Sequence, residues 1–262
     1  MQIDLKQKRA VICGSSQGIG RAIAEQFAAS GASVTLIARN RERLEQVRDA
    51  LLTDHDQQHQ IVVADFSNPA ELESQINSWV QSHQTAHILV NNTGGPPAGT
   101  ALAASTTEFV DAFNQHLVCN HVLVQALVPG MQAAGYGRII NVTSISAREP
   151  IANLAVSNTI RAAVSNWAKT LSSELASDNI TVNNLLPGMT ATERLRSLIA
   201  GRAENEGRPV SAVTAEFENA IPTGRFADPA EIASVATFLA SPLASYVNGI
   251  NVTVDGGRSA SI

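Results

Sequence analysis

The run Cys13-Gly14-Ser15-Ser16-Gln17-Gly18-Ile19-Gly20 follows a β-branched stretch and leads at once into a helical pattern. Glycines in that setting suit an anion, because the first N–H groups of the helix point outward and the backbone can come close to a phosphate. Gly14 allows the tight exit, Gly18 the approach to a pyrophosphate, and Gly20 the close packing of helix on sheet. The glycine pattern is weak evidence alone and gains weight from its place between strand and helix. The next β-branched stretch ends in Ala38 and Arg39. An acidic residue there would bond a ribose 2′-hydroxyl and repel a 2′-phosphate, whereas a guanidinium offers a planar fork for that phosphate, with Ser15 or Ser16 adding hydroxyl donors. The expected dinucleotide is NADP(H). Further on, Ser157 and Arg161 stand four apart on one helical face. The guanidinium donates hydrogen bonds and holds charge but cannot relay a proton.

These residues need a scaffold that alternates strand and helix. Strands are expected at 10–13, 33–38, 60–64, 88–91, 138–143, 181–186 and 251–254, with helices at 19–30, 41–53, 69–83, 107–134, 154–177 and 229–240. Asp228 reads as N-cap and Pro229 as first residue of the last helix. Such alternation predicts an α/β fold, a single doubly wound Rossmann-type domain over 1–262 whose seven-stranded parallel sheet carries helices on both faces. Segment 189–222 has dense charge and weak apolar periodicity, and is expected to form short mobile helices over the substrate.

With 262 residues, 44% hydrophobic and 16% charged, the chain can bury a full core. A net charge of −5 argues against nucleic acid and anionic membrane and favours a small metabolite. The N-terminus from Met1 shows no leader, and no apolar run of roughly 18 residues stands out. Cys13 and Cys119 suit buried thiols in a reducing compartment, so a cytoplasmic protein is expected. His55 and His59 lie in a polar loop without a closed ligand set, so no metal is expected.

The spacing Gly-x-x-x-Gly-x-Gly resembles that of the short-chain dehydrogenase/reductase family. Asn91-Asn92-Thr93-Gly94 looks like the family's Asn-Asn-Ala-Gly, with threonine for alanine. Pro187-Gly188-Met189-Thr190-Ala191-Thr192, Val254-Asp255-Gly256-Gly257 and Pro222-Thr-Gly-Arg-Phe-Ala-Asp-Pro229 extend the resemblance over nearly the whole chain, most closely to the 3-oxoacyl-[acyl-carrier-protein] reductases. It implies that Asp65, with Phe66, meets the adenine, that Ile19, Asn91, Gly94, Pro187 and Gly188 line the dinucleotide, and that Thr192 meets the nicotinamide carboxamide.

The family reduces a carbonyl with a serine that polarises the oxygen, a tyrosine that donates the proton, a lysine that lowers the tyrosine pKa and holds the ribose, and an asparagine that anchors a proton relay. Ser144 matches the serine, whereas Ser157 falls on the tyrosine, Arg161 on the lysine and His116 on the asparagine. The two tyrosines, Tyr136 and Tyr246, and the three lysines, Lys6, Lys8 and Lys169, restore no such pair at any register. A serine hydroxyl is a far weaker acid than a phenol and stops short of its place. Arg161 then reads as a ribose ligand. His116, an imidazole titrating near neutrality, either supplies a proton directly or through water, or is a helix histidine satisfied by backbone or water.

Two readings stay open: an NADPH-dependent ketone reductase, on a 3-oxoacyl thioester carried by acyl carrier protein or a similar small carbonyl, with an altered proton donor; or a non-catalytic NADP(H)-binding sensor or silent subunit. Arg148 either greets an acidic group or is solvated. The two long helices are apolar on more than one face, which by resemblance implies a homotetramer.

Overall fold

Aliphatic runs buried on both sides make the sheet. Every residue is buried in β4 (Ile88–Asn91), β5 (Gly137–Val142) and β6 (Ile180–Pro187), as strands between two helical layers must be. With β1 (Arg9–Cys13), β2 (Ser33–Ala38), β3 (Gln60–Val63) and β7 (Asn251–Val254), they form one sheet in the order 3-2-1-4-5-6-7, every pair parallel. The computed structural model describes residues 3–83 and 85–261. Met1 and Gln2, where the N-terminal reading begins, lie outside them.

Side chains leave each strand alternately to two cores. Ala10 and Ile12 of β1, Val34 and Leu36 of β2, and Ile140 and Val142 of β5 meet α1 (Gly18–Ala29), α2 (Arg41–Ala50) and α9 (Pro229–Ala240). Val11, Cys13, Ile37 and Ile139 meet α3 (Pro69–His83), α5 (Cys119–Ala134) and α6 (Ala155–Glu174) on the other face. The doubly wound seven-stranded sheet expected from the sequence is the one observed. Asp228 caps α9 as expected, in a reciprocal box with Glu231.

Four asparagines in register lock one end of the sheet. Asn91 Nδ2 donates to Asn141 (2.9 Å), Asn141 Nδ2 to Asn184 (3.0 Å) and Asn184 Nδ2 to Asn251 (2.8 Å), a chain across β4, β5, β6 and β7. A slip of any of these strands would leave buried amides unpaired, so the ladder fixes the register on which the site is built.

The expected helix at 107–134 is more elaborate. It starts as α4 (Thr106–Phe113), passes through a π turn (Asn114–Val118), and continues as α5. By length and composition this 29-residue rod is apolar enough to cross a membrane, which the sequence reading did not register. Here Leu123, Val124, Leu127 and Met131 pack it into the core. Segment 189–222 contains two helices, α7 (Glu193–Glu206) and α8 (Val210–Asn219), which pack on a small cluster of Leu195, Ile199, Ala203 and Val213. Arg202 and Arg208 both pair with Glu206 and Glu216, tying the two helices together. Both ring nitrogens of His59 are engaged, Nδ1 by Val34 N–H and Nε2 at the Leu52 carbonyl. Among the described residues no cluster of metal-ligating side chains forms.

Candidate active site

Strand order reverses between β1 and β4, opening a crevice at their carboxyl ends. Asn92 is the strut across it. Its Nδ2 donates to the carbonyls of Cys13 (3.2 Å) and Gly14 (3.3 Å) and would lie 2.7 Å from a Cβ on either Gly14 or Gly20. Gly14 also has φ +58 and leaves no room for a Cβ, which would stand 2.5 Å from the Asn92 carbonyl. Only backbone fits at Gly14 and Gly20. The first turn of α1 carries no acidic side chain and Gln17 does not cap it, so its amides remain available to an anion. The turn therefore fits the pyrophosphate of a dinucleotide. Ser16 and Gly18 are partly exposed there, and Ile19 packs its side chain on the core. Ser15 does not face the crevice: it is fully buried, and its Oγ accepts from Ile37 N–H (3.0 Å), binding the turn to β2.

At the adenosine end, exposed Arg39 reaches 3.9 Å from Asp65 Oδ2, and Asp65 Oδ1 accepts from Ser67 N–H. Sequence reasoning passed over Arg43, whose Nη1 donates to Gln17 Oε1 (2.7 Å) and so sets a second guanidinium against the glycine turn. Two expected ligands turn inward. The Phe66 ring is buried in the second core and its carbonyl accepts from the Cys119 thiol. The Asn91 amide is 2% exposed and belongs to the asparagine ladder, with Oδ1 unpartnered. Pro187 is buried, and Gly188 is a glycine because Asp255 Cα would lie 2.7 Å from its Cβ. Gly94 is exposed, with open space beside it.

At the opposite end, Ser144 is half-buried and extended, and its Oγ accepts from Ser146 N–H (3.1 Å), leaving its own O–H to donate. Arg161 rises from α6, one turn past half-buried Ser157. It is 8% exposed; Nη1 donates to the Val142 carbonyl (3.0 Å) and Nε has no partner. Burial, then Arg194, pulls its pKa down to about 10, so it stays charged at neutral pH.

His116 sits in the π turn, a distortion that often marks a working residue. It is 2% exposed, its Nδ1 lies 2.7 Å from Thr93 Oγ1, and Nε2 has no partner. Burial first, then the charges of Arg161 and Arg194, holds its pKa at about 2, against the pull of the Gly94 carbonyl. This corrects the expectation of an imidazole titrating near neutrality: His116 is neutral and can give a hydrogen bond but holds no spare proton. Of the alternative, a helix histidine satisfied by backbone or water, the structure shows Nδ1 engaged at Thr93 and Nε2 without a protein partner. Its departure from asparagine goes with that of Thr93 from alanine, a paired signal readable in the sequence only once the two are known to touch.

The start of α7 crosses the crevice. Thr192 caps the helix through Leu195 N–H, and its methyl would lie 3.2 Å from a Cβ on Gly18. Glu193 comes within 3.9 Å of Arg43, and Arg194 Nη2 donates to the Pro96 carbonyl (3.0 Å). On the other wall, Gly99 N–H donates to Asn153 and Ala155 N–H to Gly99, joining the loop after β4 to the start of α6. Arg148 is exposed at the end of the short helix after Ser144.

Residues 14–259 match the family model described as enoyl-(acyl carrier protein) reductase. The chain is 32% identical to the 3-oxoacyl-[acyl-carrier-protein] reductase FabG of Vibrio cholerae over 97% of this chain and 98% of that protein. It is 30% identical to the NADPH-dependent reductase BacG of Bacillus subtilis over 98% of this chain and all of that one. Among solved structures, L-sorbose reductase from Gluconobacter frateurii, complexed with NADPH and L-sorbose, superposes with a TM-score of 0.94 at 33% identity, with full coverage of both chains.

Proposed function

The chain belongs to the short-chain dehydrogenase/reductase family, and from that membership we propose that it reduces a ketone with NADPH using an altered proton donor. The observation that carries the reading is the glycine turn braced by Asn92, with Arg39 at the end of β2 on one side of it and Ser144 beyond β5 on the other. When bound, NADPH supplies the hydride. The turn from Gly14 to Gly20 holds the pyrophosphate, Arg39 the 2′-phosphate with Asp65 beside the adenine, and Thr192 the carboxamide. Arg161 donates to the ribose hydroxyls next to the nicotinamide. Ser144 gives its O–H to the substrate oxygen as negative charge grows there.

Proton delivery differs from that of the tyrosine enzymes. Ser157 is too short and too weak an acid, and Arg161 cannot release a proton. If the Thr93 hydroxyl donates to Nδ1, His116 carries its N–H on Nε2. That N–H steadies the developing alkoxide through a water in the volume a phenol would fill, and solvent restores the proton. The substrates to test include a 3-oxoacyl thioester, free or on acyl carrier protein, since several relatives carry that activity in their names. We also propose a cytoplasmic homotetramer with a mobile cover at 189–222. Val110 and Phe113 of α4, apolar and exposed in the single chain, support self-association, and two free buried cysteines suit the compartment.

A second reading, an NADP(H)-binding sensor or silent subunit, is favoured by the depressed His116, which removes the one imidazole that could have served as acid. A fluorescence titration with NADPH and NADH tests what both share. Tighter binding of NADPH is the expected result, and no binding of either nucleotide would sink both.

A further inference from the structure

Arg161 and Arg194 converge on one gap. A methyl carbon set on Gly95 would lie 3.2 Å from Arg194 Nη2 and 3.5 Å from Arg161 Nη2. Arg161 comes from the floor, nine-tenths buried, with its Nε unpartnered. Arg194 comes from the cover, exposed at the mouth and anchored to the Pro96 carbonyl. Among the described residues no carboxylate pairs with either, although Asp and Glu outnumber Lys and Arg by 23 to 18. Two other arginines of the same cover, Arg202 and Arg208, each hold two glutamates. Two like charges brought together in a half-dry gap repel unless an anion joins them. Burial first, and then the charge of Arg194, weaken Arg161's hold on its proton.

We infer that the gap at Gly95 seats a carboxylate of the substrate, so that the ketone reduced is an oxo acid rather than a neutral ketone or thioester. This rests on the reductase reading above. Dinucleotide phosphates have their own seats in that reading, at Gly14–Gly18 and Arg39. Arg161, which in that reading also serves the ribose hydroxyls, holds the Val142 carbonyl through Nη1, two residues ahead of Ser144, and turns Nη2 to the gap. An anion held there lies beside the reacting carbonyl. Arg161 and Arg194 are positioned as floor and lip of one clamp, matching the two oxygens of a carboxylate.

The test compares a 3-oxo acid with its methyl ester at saturating NADPH, in the wild type, Arg194→Ala and Arg194→Lys. The expected result is an acid-to-ester ratio of kcat/KM of about tenfold or more in the wild type, lost in Arg194→Ala and partly restored in Arg194→Lys. Equal rates for acid and ester overturn the inference. So does an unchanged ratio in Arg194→Ala with a raised NADPH dissociation constant, which would give the pair to the cofactor's phosphates. If neither compound turns over, the reductase reading fails first, and calorimetry with the 3-hydroxy acid on the NADP-bound protein decides the clamp. Binding that weakens in Arg194→Ala upholds it, and absence of binding overturns it.

Discussion

The Nδ1 of His116 lies 2.7 Å from the hydroxyl of Thr93, joining the loop after β4 to the π turn in the long helical rod. Both residues depart from the pattern of the reductases the chain resembles, and they depart together. A threonine hydroxyl can fix the tautomer of a histidine where an alanine could not. Burial and the neighbouring arginines hold the imidazole neutral, and a Thr93 hydroxyl that donates to Nδ1 leaves the ring N–H on Nε2.

Because burial and the two arginines hold the His116 pKa at about 2, reduction should show no acid limb from an imidazole near its ordinary value. A profile of kcat/KM between about pH 5 and 8 checks this. His116→Ala should lower kcat about 10- to 100-fold without creating such a limb. An inflection near neutrality that disappears in His116→Ala would contradict the assignment.

The same burial makes the protein acid-sensitive. His116 at about 2 and His87 at about 4 both lie below the ordinary 6.5. The unfolded chain therefore binds protons that the folded chain refuses, and stability present above pH 6.5 is lost as pH falls. His116 contributes a slope of up to about 1.4 kcal/mol per pH unit below 6.5, and the half-buried His87 a smaller, solvent-screened one between 6.5 and 4. Urea unfolding at pH 7 and pH 5 should show the loss, and His116→Asn should remove the larger part of it.

The fold was legible because its signals are local: β-branched runs, a glycine turn, Asp228-Pro229 opening the last helix. Residues that act across the sheet were not. Asn92 reads as part of a motif, yet its work is to brace Gly14 and Gly20 from a neighbouring strand. Ser15 reads as a phosphate donor until burial gives its oxygen to Ile37. Phe66 and Asn91 read as ligands, but the turn after β3 puts the Phe66 ring in the core and β4 puts the Asn91 amide in the ladder. Arg43 and Arg194 are ordinary helix arginines in sequence, and only their reach to Gln17 and Pro96 sets them apart. The titration of His116 is set by its burial and then by Arg161 and Arg194 from two other helices, none of it local in sequence.

Nucleotide choice should rest on Arg39, with Arg43 beside it. Arg39→Ala should raise the NADPH dissociation constant about 10- to 100-fold, the worth of a charge-assisted phosphate contact, and leave NADH nearly unaffected. Arg43→Ala should act in the same direction and less strongly. Equal losses for NADPH and NADH would mean that the 2′-phosphate sits elsewhere.

Gly14→Ala should both unfold the turn and abolish nucleotide binding. A Cβ there meets the Asn92 carbonyl at 2.5 Å with φ +58, strain worth about 1–3 kcal/mol before the clash is counted. Thermal melts with and without NADPH check it. A variant of wild-type stability that still gains stability from NADPH would show the turn to be slack.

The central claim is that reduction proceeds here without a tyrosine and lysine pair. Its most direct test is a single-turnover measurement of NADPH oxidation on the preformed protein–NADPH complex, mixed with a panel of oxo acids, ketones and 3-oxoacyl thioesters. The account predicts stoichiometric oxidation with at least one oxo acid, slowed about 100-fold or more in Ser144→Ala. Tightly bound NADPH that stays unoxidised across the panel would contradict it and leave the chain a nucleotide-binding protein.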